Sequence, residues 1–173
     1  MTPSGLWDHY RKTLRALETS YREVKGMSSD TCPEEFLGLT ELELADAFDA
    51  MRREIEHGIN LMLAASIEAQ LQADVATGAW RKIKDGRRRF RELRKQGSRV
   101  ELEQILDLWS NLLDRPGLIG RFKQFFKHRH WLAHGRYWTC KCGYHSISPD
   151  EVWDLIVEMS TVVPRLAPLA ARA

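Results

Sequence analysis

Between Thr40 and Val75 the apolar residues keep a helical rhythm, and in the second half of the stretch they no longer keep to one side. Leu44, Phe48, Met51 or Arg52, Ile55, Ile59 and Met62 mark one face, while the residues beyond Gly58 are apolar almost all round. A helix of that kind is packed on several sides, so other elements must be wrapped around it. Gly58 gives it a point to bend or split.

The rest of the chain offers helices for the wrapping. Trp7, Tyr10, Leu14, Leu17, Tyr21 and Val24 repeat at helical spacing from about Ser4 to Lys25, and Gly26 stands where a left-handed cap would fall. Met27 to Leu39, rich in Ser, Asp and Pro, reads as a connecting loop, with Cys32 incidental to it. Leu102, Ile105, Leu106, Trp109 and Leu113 make an amphipathic helix of Val100 to Asp114, after which Pro116-Gly117 turns the chain into another helix. Arg136 to Ile147 reads as a loop or small hairpin. Ser148-Pro149-Asp150-Glu151 then combines an N-cap serine, a proline at the first helical position and a capping-box glutamate, and Val152, Leu155, Ile156, Met159 and Val163 carry the last helix. The expected architecture is an all-α bundle of five to six helices, with a short insertion before the last.

At 173 residues with 43% hydrophobic content, one sizeable core and a single domain over 1–173 are expected. No apolar run approaches the ~20 residues a membrane span needs, the first residues do not resemble a leader, and the C-terminus lacks a prenylation cysteine. The expectation is a soluble, cytoplasmic protein with no membrane partner. Three cysteines in no framework spacing suit reduced thiols.

Charge is unevenly placed. Trp80 to Arg99 holds ten Lys or Arg against Asp85 and Glu92, a segment charge of +8 in a chain whose net charge is +2, so the remainder carries −6. Arg87, Arg88, Arg89 and Arg91 are its densest part, and such clusters favour phosphate backbones through counterion release. Nucleic acid or an anionic ligand is the partner this suggests, and a merely solvated helix face is the alternative.

Leu118, Phe122, Phe125 and Leu132 form a helical stripe whose missing member is Arg129. A guanidinium among core positions costs free energy unless paired or used. On the central helix, Leu61, Ala64, Leu71 and Val75 define a second stripe whose missing member is Glu68. Each explains the other if Glu68 pairs with or orients Arg129; otherwise Glu68 snorkels to water at a helix edge. Five residues beyond Arg129 comes His134, followed by Gly135 as a helix stop. His130 and His134 share a face at i and i+4, whereas Arg129 and His134 are offset by about 140° on an ideal helix.

The run Arg129-His130-Trp131-Leu132-Ala133-His134-Gly135 resembles the motif of the HEPN superfamily, all-helical domains that include many ribonucleases. The family carries an arginine, then a polar residue, and after a short interval a histidine near a helix end; here His130 takes the polar position and four residues intervene. An acidic residue on an earlier central helix, where Glu68 stands, also agrees. The resemblance implies a homodimer with both motifs lining one cleft, metal-independent RNA cleavage without a cofactor, and a role like that of toxins or antiviral effectors, with an antitoxin or other protein as a further partner. Some members have a tyrosine two positions past the histidine that a partner nucleotidyltransferase modifies. Here Arg136 stands there and Tyr137 follows, which weakens the likeness to that subgroup.

The residue chemistry is compatible. Histidine, with a reference pKa of about 6.5, exchanges protons at neutral pH, and arginine stays charged, so His134 is the proton-transfer candidate and Arg129 the phosphate clamp, with His130 and Glu68 beside them. Each has a plainer use, since a helix C-terminus favours histidine and an arginine can simply bridge helices. Tyr137, among Trp131, Trp138 and Tyr144, is a candidate for stacking on bases, with core packing as its alternative. Cys140, Cys142 and His145 lack the spacing of a zinc site, so no metal is assigned. The competing reading is a non-catalytic helical module that binds nucleic acid, a nucleotide or a protein.

Overall fold

The computed structural model describes residues 2–28, 30–77, 87–95, 97, 100–113, 115–134 and 147–163. Six α-helices carry them: α1 Pro3–Gly26, α2 Glu41–Thr77, α3 Arg87–Lys95, α4 Leu102–Leu112, α5 Pro116–Ala133 and α6 Pro149–Ser160. A 3-10 turn, Glu34–Phe36, lies between the first two, and there is no strand among the described residues. No helix among them is long and apolar enough to cross a membrane. The hairpin considered for Arg136 to Ile147 falls almost wholly outside the described residues, as does the first part of the basic segment.

Local chemistry sets most of the helix ends. The Thr2 hydroxyl accepts from the Gly5 N–H at 3.2 Å, and Pro3 fills the first turn of α1. At the other end Gly26 is still helical: Met27 turns extended at φ −78° and donates its N–H to the Val24 carbonyl at 3.2 Å, so no left-handed glycine cap forms. The Glu101 N–H donates to Gln104 Oε1 at 3.0 Å to start α4. At α6 the reciprocal box is complete, with the Glu151 N–H donating to Ser148 Oγ at 3.2 Å and the Ser148 N–H to Glu151 Oε2 at 2.8 Å.

With 37 residues, α2 is about 55 Å long and runs unbroken through Gly58. Its two halves have different surroundings. From Ile59 onward, Leu63, Ala64, Ile67, Leu71 and Val75 enter the main core, which takes residues from all six helices. Leu6, Trp7 and Tyr10 of α1 join them, with Trp7 stacked on Trp153 of α6 at 5.3 Å between ring centres. Before Gly58, α2 pairs with the later part of α1 in a two-helix arm that has its own small aromatic cluster: Tyr21 and Phe36 each lie 5.2 Å from Phe48. Leu44 and Phe48 are buried there but belong to no part of the main core. At the arm's tip Met27, Leu37, Leu39 and Leu42 stay exposed.

Ion pairs tie α5 to its neighbours, Lys123 to Asp107 of α4 and Arg121 to Glu158 of α6. The short α3 is held differently. Phe90 is its one buried residue and meets Trp109 of α4 edge-on at 5.3 Å.

Candidate functional site

Helix α5 buries Leu118, Ile119, Phe122, Phe125, His128 and Leu132. The stripe thus passes through His128, three residues after Phe125, and Arg129 lies on its flank. Expecting Arg129 in the core face took a step of four where the packing takes a step of three. On α2 the same correction applies: Ile67 fills the core position, and Glu68 sits beside it at the edge. The two charged residues still meet. Arg129 Nη2 is 3.8 Å from Glu68 Oε2, with the side chains 35% and 33% exposed. Such a pair avoids the cost of full burial and leaves the guanidinium a wet side toward which an anion can approach.

His130 and His134 are exposed, and their ring centres are 4.2 Å apart. His134 is the C-cap of α5, at φ −95° and ψ 21°, and its N–H donates to the His130 carbonyl at 3.1 Å. Two pairs therefore stand near the C-terminal end of α5: Arg129 with Glu68 across to α2, and the solvent-facing His130 with His134 in the last turn, about 100° or more around the helix from Arg129. The first has the chemistry to hold an anion and the second to exchange protons. Tyr137, Cys140, Cys142 and His145 lie outside the described residues.

His128 is the polar residue that sequence reasoning passed over on this helix. It is 1% exposed, packs 5.4 Å from the Trp131 ring, and has its basicity pushed below the ordinary histidine range by burial and, second, by the charge of His57 on α2. Its signal was present, three residues from Phe125 on a stripe spaced by threes and fours. A second polar junction was not legible at all. Tyr10 of α1 has its phenol pKa pushed up to about 12, chiefly by burial and then by the negative charge of Glu56, to which it hydrogen bonds. One turn along, Asn60 donates from Nδ2 to the Ile147 carbonyl at 2.7 Å, tying α2 to the start of α6.

The second expected surface is α3. Arg87, Arg88, Arg89 and Arg91 are all exposed, and six of the nine residues of the helix are Arg or Lys. Arg88 Nε lies 3.1 Å from Glu92 Oε1 within the helix. Arg87, Arg91 and Lys95 fall on one line, each about 6 Å along the axis from the last. Helix α3 packs on α2 and α4. Where it faces α2, a surface cavity of about 410 Å3 is lined by Gln72, Ala73, Val75, Ala76, Arg94 and Gly97. Gln72 is one turn beyond Glu68 on the same face of α2, so the cavity and the Glu68–Arg129 pair are neighbours along that helix.

Comparison with protein-family models, with curated proteins and with solved structures finds no match to this chain.

Proposed function

We propose that this protein is a metal-independent endoribonuclease of HEPN type that works as a homodimer, with Arg129 and His134 as its principal catalytic groups. The observation that supports the reading is the meeting of Arg129 with Glu68 at 3.8 Å beside the exposed His130 and His134 at one helix end. In the reaction, an imidazole takes the proton of a ribose 2′-hydroxyl as the 2′-oxygen attacks the adjacent phosphorus. The bond from phosphorus to the 5′-oxygen breaks, and a second protonated imidazole delivers a proton to that leaving oxygen. The products are a 2′,3′-cyclic phosphate and a free 5′-hydroxyl, and no oxidant or metal enters the balance. Arg129 meets the charge that builds on the phosphoryl oxygens, Glu68 limits where the guanidinium can point, and His130 assists His134. A second copy of the chain facing the same cleft supplies the other imidazole. A role in toxin or antiviral systems, with RNA as substrate and an antitoxin as a further partner, follows from the resemblance alone.

The test is cleavage of a mixed-sequence RNA in EDTA by the parent protein and by folded Arg129→Ala and His134→Ala variants. Cleavage by the parent alone, with cyclic-phosphate ends, is the expected result. The second reading, a non-catalytic helical module binding nucleic acid, a nucleotide or a protein, is favoured by the density of cations on α3. Under it none of the three proteins cleaves, and charge reversal at Arg87, Arg88 and Arg89 still weakens RNA binding.

A further inference from the structure

We infer that the cavity between α2 and α3 is a nucleotide pocket that receives one unpaired base of a single-stranded RNA while the strand's phosphates run along α3. This deepens the ribonuclease reading and rests on RNA being the partner. The volume of about 410 Å3 lies within the range of small-ligand sites, about 300–1,000 Å3. Ala73, Val75 and Ala76 give it an apolar wall suited to the flat face of a base. Gln72 supplies a fixed amide: its Nε2 donates to the Val100 carbonyl at 3.0 Å, which orients the group and leaves a second amide hydrogen and the oxygen for a base edge. Gly97, at φ +62°, lines one side in a conformation that suits glycine, and a Cβ built there meets nothing within 4 Å, so this side of the cavity is open.

Charge decides the kind of ligand. Arg94 is the one charged residue among the described residues that line the cavity, and it belongs to the same short helix as the ladder of Arg87, Arg91 and Lys95, so a phosphate at the mouth meets one guanidinium with more cations on the same helix. A neutral metabolite would use none of this, whereas a nucleotide places its base on the alanine wall and its phosphate on Arg94. The guanidinium can also lie flat against a base. Single strands fit and duplexes do not, because a base can enter only when it is out of the stack. Glu68 is one turn, about 6 Å along α2, from Gln72, so a strand anchored here lies close to the Glu68–Arg129 pair.

The experiment measures binding apart from cleavage. Fluorescence anisotropy in EDTA compares a single-stranded and a fully paired RNA of equal length on a His134→Ala background, where the RNA stays intact, with Ala76→Trp and Arg94→Ala added separately and folding checked by circular dichroism. Ala76 is exposed, so the tryptophan fills the cavity without entering the core. The expected result is a loss of about tenfold or more in affinity for the single strand with Ala76→Trp and a smaller loss for the duplex. AMP and UMP, as the simplest probes, should bind the parent weakly and Arg94→Ala less. Equal losses for single strand and duplex, or no change with Ala76→Trp, would overturn the pocket. If the parent fails to cleave while Ala76→Trp still discriminates, the catalytic reading falls and the pocket stands. If cleavage depends on His134 and Ala76→Trp is silent, the pocket alone falls.

Discussion

Arg129 reaches from α5 to Glu68 on α2 across 3.8 Å, and about a third of each side chain remains in water. A pair of that exposure is worth at most about 1 kcal/mol to stability, so it does little to brace the bundle, and under the proposed reaction its part is to aim the guanidinium.

Glu68→Gln should therefore lower the melting temperature by no more than about 4 °C, yet slow RNA cleavage by about tenfold or more. Calorimetry and single-turnover rates check the two halves separately. A large fall in melting temperature with an equal fractional loss of active protein would make the pair a structural brace.

His128 predicts the acid limb of stability. Burial and His57 lower its pKa, so in acid the unfolded chain binds a proton that the folded chain resists. Its contribution is complete above the unfolded pKa of about 6.5, shrinks as pH falls from there to the lowered folded value, and levels off below it. Replacing it by Gln should flatten that part of a urea-midpoint profile against pH, whatever the change in absolute stability.

The alkaline limb belongs to Tyr10. Its pKa is raised to about 12, so the fold keeps the phenol neutral after the unfolded chain, titrating near 10, has lost the proton. That contribution is whole below pH ~10 and is lost as pH climbs through the folded value. Tyr10→Phe should make unfolding less steep in alkali, and absorbance of the phenolate during titration of the folded parent should lag the free amino acid.

Helix α3 is anchored chiefly by Phe90, with Leu93 partly buried against the core beside it. Phe90→Ala removes its single buried residue and the edge contact with Trp109, at a local cost of about 3–5 kcal/mol. The rest of the core stays, so circular dichroism should lose roughly the signal of α3 while RNA affinity drops sharply. A triple change of Arg87, Arg91 and Lys95 to Ala keeps the helix and should instead make the slope of log affinity against log salt shallower by about 2 for a single strand.

How much of this was legible in the chain differs from place to place. The caps of α6 were, because Ser148, Pro149 and Glu151 act on their own backbone and need no partner. The central role of α2 was, although its second half is enclosed along Ile59, Leu63, Ala64, Ile67, Leu71 and Val75 and not all round, since Met62, Ala65 and Ala69 stay exposed. That Glu68 and Arg129 come together also follows from two charges displaced from two stripes, although both stand at the edge and not in the core. What escaped depends on the angle at which helices cross. Burial of His128 rather than Arg129 turns on a rotation of about 100°, one residue's worth, which a stripe of mixed three and four steps does not fix. The Tyr10 and Glu56 contact and the Gln72, Arg94 cavity join positions far apart in sequence, with no periodicity to announce them.

The two-helix arm has a consequence in time rather than in space. Its buried residues, Leu44 and Phe48, share nothing with the main core, so the arm can open while the bundle stays shut. Because α2 is continuous, that opening must stop inside a helix, and it stops short of Ile55, Glu56 and His57, which already face the bundle through the main core, Tyr10 and His128. Amide protons from Glu41 to about Glu54 should then exchange as one cooperative block, orders of magnitude faster than those from Ile59 onward, and the molecule will begin to unravel from one end of its longest helix.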